Sequence, residues 1–584
     1  MSNLSKVDIP VATSHRSKLD LSFSNTTTMS FMQLQPVAYF HLIKGSKISL
    51  NALANLRPAP MQVPTYGKMR CNLRGFWVPY RLVFPQWFSF YNDTIGSNFD
   101  GNAIVVDVPV FGVDCLTSLF FKPTNSATPI LSQTVTASDP WDFHYGSNYY
   151  ALTALGRRYY KILYSLGYDI SPNPDEPYFN CLALLSLAKV YVDWYANSQF
   201  LNTADCLFIE QLLSYNDPNG QLVLNDYDVY RILSFISEAL YDSNGYFEQA
   251  WSNPVAPANQ QFSSFSFTDP SRVTPNAVVR TASSGSPYMS TSGVSNIGTQ
   301  YVHDALRRLT DFQKRHALAG ARSIDRVLAQ YGMQTDYLRS MRSVYVGSKS
   351  IDINTGAVMS TGAGTNSSGA SSSVGDFAGA GFGSDSHNWD FTCDEEGIFL
   401  VLATIQPSAG YYQGYDRQNR HLSKQDFFVP EFDGLGVQAI EKGEVYNSRD
   451  FDFCSDDITN YSDAFGFSGR YGEYKRSFNR VSGDFVMPSV MVGGDSWHLN
   501  RSFSDSSFGN LSGVVMSSAF VRGFDSSQYH RIFQYVNSDV DPFYCFFNFD
   551  AAVYAPCRSL FETYDFGDSS TQKVAVDSAG TKLN

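Results

Sequence analysis

Apolar and polar positions change rhythm several times along the chain, and each change marks an element. From Phe31 the sequence reads FMQLQPVAYFHLI, breaks at Lys44-Gly45-Ser46, and resumes as KISLNALANL. Short apolar runs on both sides of a turn former predict two strands joined by a tight turn. The next stretch, RPAPMQVPTYGKMRCNLRGFWVPYRLVFPQWFSFY, carries too many prolines for a helix and reads as extended edge strands with irregular crossings. EEGIFLVLATIQP gives a further strand, and HRIFQYVNSDVDPFYCFFNFDAAVYAPC supplies two aromatic β-type runs near the end.

Helical spacing appears in four places. Leu152, Leu155, Tyr159, Ile162 and Leu166 fall on one face, with Gly167 as a C-terminal stop. Residues 182–200 form a second helical pattern, and Asn225 caps a third, whose stripe of Val229, Ile232, Leu233, Ile236 and Leu240 reads as core. Residues 301–331 return to helical order, with Val302, Ala305, Leu306, Leu309 and Phe312 on one face. Between them, residues 253–299 are dominated by Ser, Pro, Asn, Thr and Gly. That is far longer than the roughly 12 to 15 residues of a loop in a compact domain, so approximately 197–300 reads as an insertion.

Residues 354–386, rich in Gly, Ser and Ala, read as a flexible loop. The run Gly379-Ala380-Gly381-Phe382-Gly383 lacks the following Lys-Ser/Thr and the strand–loop–helix setting of a phosphate-binding loop. Residues 463–503, by contrast, alternate Phe465, Phe467, Tyr471 and Tyr474 with Gly466, Gly469, Arg470, Gly472 and Lys475. This mixture suits bulged, half-buried strands carrying planar groups that stack on neighbours.

Composition changes the picture from an ordinary globular chain to one with large contacts. Charged residues make up 17% and aromatic residues 15% of the 584 positions. Since globular chains carry about 25% charge, surface that is usually charged must be something else, and interface cores are depleted in charge and rich in aromatics. The net charge of −13 argues against overall attraction to nucleic acid, yet it is unevenly placed. Residues 21–92 contain no Asp or Glu but seven positive charges, Lys44, Lys47, Arg57, Lys68, Arg70, Arg74 and Arg81, which leaves −20 for the rest. Such a bias makes either a solvated basic face or a phosphate-facing surface.

Candidate chemistry is sparse. The eight cysteines are scattered with no CxxC pair, which fits buried thiols of a reducing compartment better than a disulfide framework. Nine histidines show no HxH or HExxH spacing, and no GxSxG elbow is present. Asp450, Asp452, Asp456 and Asp457 lack the Gly and terminal Glu of an EF-hand loop and read as an acidic solvated loop. No cofactor, metal or catalytic residue is therefore assigned. The N-terminus has no apolar signal core, and no run approaches the roughly 18 apolar residues of a transmembrane helix, so neither secretion nor membrane insertion is expected.

Several segments resemble, in order, the major capsid protein of microviruses, the small icosahedral single-stranded DNA phages. They are Arg57 to Met61 with FWVPYRLV and Trp87, the helical 182–200 element, FQKRHALAGARSIDRVLAQYGMQTDYLRSMRSVYVG, and the FGFSGRYGEYKR, VSGDF and SWHL motifs within 463–503. In the 182–200 element Asn197-Ser198 stands where the family carries Arg-Asp, so no contact of that pair is transferred. The resemblance implies a mainly β fold: one eight-stranded antiparallel jelly-roll barrel with long helical and loop insertions.

The expected organisation is an N-terminal arm (1–30) ordered by a partner, a shell domain in two parts (31–196 and 301–565), the inserted protrusion (197–300) and a C-terminal tail (566–584). The implied function is a T=1 icosahedral shell around a circular single-stranded DNA genome, assembled in the bacterial host cytoplasm, with outward loops of the gokushovirus-like kind for host attachment. Its implied partners are further copies of itself, the packaged DNA, a small basic DNA-binding virion peptide, a pilot protein and a host surface receptor.

Within that reading the seven basic residues of 21–92 face DNA. Phe465, Phe467, Arg470, Tyr471, Tyr474 and Lys475 form late barrel strands and a subunit contact. Trp77, Tyr80 and Trp87 are read as barrel packing rather than base-stacking groups. The rival classes are a secreted β-sandwich that binds or cleaves glycans and an internal or minor virion protein.

Overall fold

In a computed structural model the described residues are 17–87, 108–121, 131–169 save 146, 178–196, 203–213, 222–237, 342–359, 377–446 with short gaps, 464–486, 494–501, 527–534 and 541–557, with a few isolated positions. Eight strands make the barrel. They are β2 (Phe23–Met29), β3 (Gln35–Leu42), β4 (Lys47–Pro58), β5 (Met69–Pro79), β6 (Val344–Met359), β7 (Phe377–Thr392), β8 (Gly397–Pro407) and β11 (Phe543–Ala555). A short β1 (Ser17–Asp20) extends one edge by pairing with β11.

Hydrogen-bonded neighbours run β2-β11-β4-β7 and β3-β8-β5-β6, so successive barrel strands fall in different four-stranded sheets except β5 and β6, which pair with each other. Taken in chain order the eight strands reproduce the two interlocked Greek keys of a jelly roll. All pairings among them are antiparallel. The sheets join along one side because β6 pairs with β5 through Ile353 and then, from Asn354, turns its ladder to β7.

Alternation decides which face is inside. Ile48, Leu50, Ala52, Ala54 and Leu56 of β4 are fully buried against Cys71 and Leu73 of β5, Val401 and Ile405 of β8, and Phe543, Phe547 and Phe549 of β11. The intervening β4 residues Lys47, Asn51, Leu53 and Arg57 are exposed. A second core lies outside the barrel. There Phe76, Val78, Ile398, Leu400 and Leu402, on the other face of β5 and β8, pack against helices α1 (Val113–Phe121), α2 (Ala154–Ser165), α3 (Leu182–Val190), α4 (Thr203–Leu213) and α5 (Asp226–Ser237). These helices all lie between β5 and β6. The sheet β3-β8-β5-β6 is therefore covered in part on both faces, which is why β8 reads as an unbroken apolar run.

Several expectations need correcting. Residues 17–29, expected to await a partner, are ordered by this chain's own β11. The Pro-rich stretch does not form only edge strands: β5 is central, flanked by β6 and β8. Its prolines sit at the ends, where a missing N–H costs no ladder bond.

The Gly-Ala run is strand, not loop. Gly379, Gly381 and Gly383 let β7 pass within reach of the Val63 carbonyl, the Pro58 ring and the Asp352 carbonyl, where a Cβ would stand 2.7, 2.5 and 2.9 Å away. Finally, the described residues of 463–503 supply no barrel strand. Among the described residues its β10 (Ala464–Gly469) pairs with β9 (Val437–Glu441), in a two-stranded outgrowth between β8 and β11. Of the two aromatic runs near the end, one is β11, whereas 527–534 begins with a short helix, Ser527–His530.

Residues 238–300 and, apart from Arg308, residues 301–331, expected to be helical, lie outside the described residues, as do the acids at 450–457 and the tail at 566–584. Among the described residues no helix is long and apolar enough to cross a membrane.

Candidate nucleic-acid interface and assembly surface

The seven basic residues do not share a face. Lys47 and Arg57 begin and nearly end β4 on its outward side, and Lys44 lies in the turn before it. Arg70 and Arg74 project from the outward side of β5, in the opposite sheet. Because β4 and β5 bury their other sides in one shared core, these two groups point away from each other. The single basic surface expected from 21–92 is thereby corrected: β4 and β5, though consecutive, go to different sheets, so closeness in sequence splits rather than gathers these residues.

Acids from elsewhere also meet this acid-free segment. Arg70 pairs with Asp352 at 2.7 Å, and Arg81 pairs with Glu395 at 2.6 Å. The Arg74 guanidinium lies over the Tyr195 ring, 5.4 Å from its centre, and Arg57 lies 6.0 Å from that of Phe382. Lys68 is exposed just before β5. Trp77 and Tyr80 are buried, and Trp87 packs at a tilt against Tyr80 with ring centres 4.6 Å apart, so these aromatics are packing groups.

The six proposed contact residues divide just as clearly. Phe465 and Tyr471 are buried inside the outgrowth, and Tyr471 adopts left-handed backbone with φ of 59°. Arg470 lies 5.4 Å from the Phe432 ring centre and 5.1 Å from that of Tyr471, so its stacking is internal. Phe467 is 67% exposed, Tyr474 is exposed beside Phe428, and Lys475 pairs with Asp433 at the surface. Sequence reading missed Leu422, Phe427, Phe428 and Phe478, which are also exposed on this outgrowth. The doubled aromatic at 427–428 was the available signal.

Ion pairs hold the outgrowth in shape. Arg417 reaches Glu444 at 2.8 Å and the Ala439 carbonyl at 2.7 Å, while Arg420 lies 3.4 Å from Glu441. Burial and the adjacent Glu441 push the Tyr415 hydroxyl up to about 12, so it stays a donor to that carboxylate. No three His, Cys, Asp or Glu side chains converge as metal ligands among the described residues. Three buried thiols are equally quiet. Burial raises Cys71 to about 12 and pushes Cys181 and Cys545 up as well, away from the reactive thiolate.

The family described as "Capsid protein (F protein)" matches residues 7–118 and 238–560, which include all eight barrel strands and the outgrowth. The chain belongs to this capsid protein family. Capsid protein VP1 of Bdellovibrio phage phiMH2K is 23% identical over 513 residues, covering 85% of this chain and 87% of that one. Capsid protein VP1 of Chlamydia phage 1 is 25% identical over 219 residues, 37% of this chain and 36% of its own length. The resemblance to microvirus capsid proteins, first carried by short motifs, thus extends over most of the capsid chain. Residues 119–237, between the two matched segments, hold α2 to α5 and so most of the helical layer over the barrel.

Proposed function

We propose that this capsid protein forms a closed T=1 icosahedral shell around a circular single-stranded DNA phage genome and has no catalytic role. The observation that carries the reading is the coincidence of the capsid family match with a complete eight-stranded jelly roll. A rigid barrel supplies shape, and its projecting elements make the contacts whose rotations close a shell. The exposed aromatic side chains of the outgrowth, Phe467 and Tyr474 with Phe427, Phe428 and Phe478, suit a subunit interface, with Lys475 at its rim.

In this reading the DNA lies against basic residues without being read for sequence, since phosphate neutralisation is independent of base identity. A small basic virion peptide would add charge that a chain of net −13 lacks. A pilot protein and a host receptor complete the partners, and within 197–300 the part that follows α5 forms the outward projection that meets the receptor, since α4 and α5 belong to the packed helical layer. Assembly takes place in the bacterial host cytoplasm, and the finished protein resides in the virion. Deleting residues 255–295 then abolishes host attachment while shells still form. Loss of shells instead makes the segment part of the lattice.

The direct test is nuclease protection. DNA in purified particles should resist nuclease until the protein is denatured, and the released DNA should be circular and sensitive to a single-strand-specific nuclease. Particles that protect no DNA would overturn the genome-enclosing role.

A further inference from the structure

The outward face of the sheet β2-β11-β4-β7 carries exposed aromatic rings grouped about one arginine. Tyr544 of β11 stands directly across from Arg57 of β4, and the Arg57 guanidinium reaches the Phe382 ring from the other side. Two residues along, Phe546 stands across from Asn55, whose side-chain oxygen accepts a hydrogen bond from the Ser384 hydroxyl at 2.6 Å. Phe382, Tyr544 and Phe546 are 50%, 49% and 39% exposed, large values for rings on an otherwise regular sheet.

We propose that this end of the sheet is a stacking platform for unpaired bases of single-stranded nucleic acid, with Arg57 as its phosphate contact. The proposal rests on the DNA-enclosing reading and gives it a location. Opposed side chains on neighbouring strands lie about 5 Å apart, and alternate residues on one strand about 6.8 Å apart, so Tyr544, Arg57 and Phe546 form one continuous surface. Every base offers a π-face, which makes aromatic stacking tolerant of sequence, and an arginine among the rings serves both phosphate and cation–π contact.

The polar groups fit the same ligand. Asn55, Ser384, Thr26 and Thr28 stand in the same rows as the rings and supply amide and hydroxyl groups that can bond a phosphate or a base edge. Charge favours this end. Asp390 and Asp550 lie on the same outward face but toward Lys47, and Asp541, beside Thr28, is paired with Lys161. The strongest competing occupant is a second copy of the chain, and the test separates the two.

The experiment measures binding of a short fluorescent oligothymidylate to the purified full-length chain across a salt series, with circular dichroism confirming that each variant is folded. Tyr544→Ala and Phe546→Ala should each weaken binding by about 5-fold to 100-fold with an unchanged salt slope. Arg57→Gln should lower that slope by about one, and Tyr544→Phe should bind as the wild type does. Wild-type binding that all these variants retain overturns the platform but leaves a DNA contact elsewhere, which Arg70→Gln and Arg74→Gln would locate. Retained binding with lost shell assembly would make this face a subunit contact. A wild-type chain that binds no oligothymidylate overturns both the platform and the direct DNA contact.

Discussion

The buried carboxylate of Asp193 accepts two hydrogen bonds from Ser343, one from the backbone N–H at 2.8 Å and one from the hydroxyl at 2.7 Å. Asp193 follows α3 in the helical layer, and Ser343 directly precedes β6, so the pair ties the long excursion after β5 to the point where the chain re-enters the barrel. Lys189 stands 3.1 Å from the same carboxylate, and Arg342 lies 3.8 Å from the Trp194 ring centre. Asp193→Ala removes a shared acceptor from buried donors and should cost about 3 to 5 kcal/mol. Ser343→Ala keeps the backbone bond and should cost about 1 kcal/mol. Chemical denaturation of both variants checks the ranking, and equal losses would contradict it.

Asp228 makes stability depend on pH. Its N–H donates to the Asn225 side chain at 2.8 Å, and the Asn225 N–H donates back to its carboxylate at 3.3 Å, a reciprocal cap on α5. Burial pushes the carboxyl up to about 7, helped by Asp226 and opposed by the Asn225 hydrogen bond and Arg231. The folded chain thus keeps a proton that the unfolded chain releases near the ordinary value of 3.8. The stabilisation is complete below that value and is lost as pH rises toward about 7. Asp228→Asn keeps an acceptor and removes the titration. Thermal unfolding should show the variant gaining on the wild type as pH rises across this window; a constant difference would count against the cause.

The glycines of β7 are sites of close approach. A Cβ at Gly379 would meet the Val63 carbonyl oxygen at 2.7 Å, and backbone there cannot turn aside as a flexible side chain would. Gly379→Ala should therefore destabilise the barrel by about 1 to 3 kcal/mol, the range for forced overpacking. At Gly469 nothing lies within 4 Å and φ is not positive, so Gly469→Ala is the control and should be near neutral. Denaturant midpoints decide between them.

Phe465 and Phe467, two residues apart on β10, should separate folding from assembly. Phe465 is buried, and Phe465→Ala should cost about 3 to 5 kcal/mol of stability. Phe467 is mostly exposed, and Phe467→Asp should leave the melting temperature nearly unchanged while suppressing particle formation. Particles formed at wild-type yield by Phe467→Asp would remove this ring from the interface.

The fold was legible where burial follows a simple period. The strands β3 and β4 with the turn between them, the apolar run of β8 and the Asn225 cap all follow from local pattern, because alternation and capping are local physics. The Gly-Ala strand was not legible, since glycine lowers strand preference and its reason lies in Val63 and Pro58, more than 300 residues away in sequence. The basic group at 21–92 misled for a topological reason: Arg57 and Arg70 are close in sequence and belong to opposite sheets. The 463–503 run showed planar groups beside arginine, and Arg470 does lie over Phe432 and Tyr471 of its own chain, but pairing of β10 with β9 rather than with a barrel strand is a long-range choice that periodicity does not encode.

The central claim is that this jelly-roll chain closes into a shell. Sedimentation and electron microscopy of the full-length protein, produced in a bacterial host with its companion virion proteins, test it most directly. The account predicts discrete closed icosahedral particles of T=1 geometry with this chain as their lattice. A chain that remains monomeric under those conditions, or joins a shell built by another protein, would contradict it.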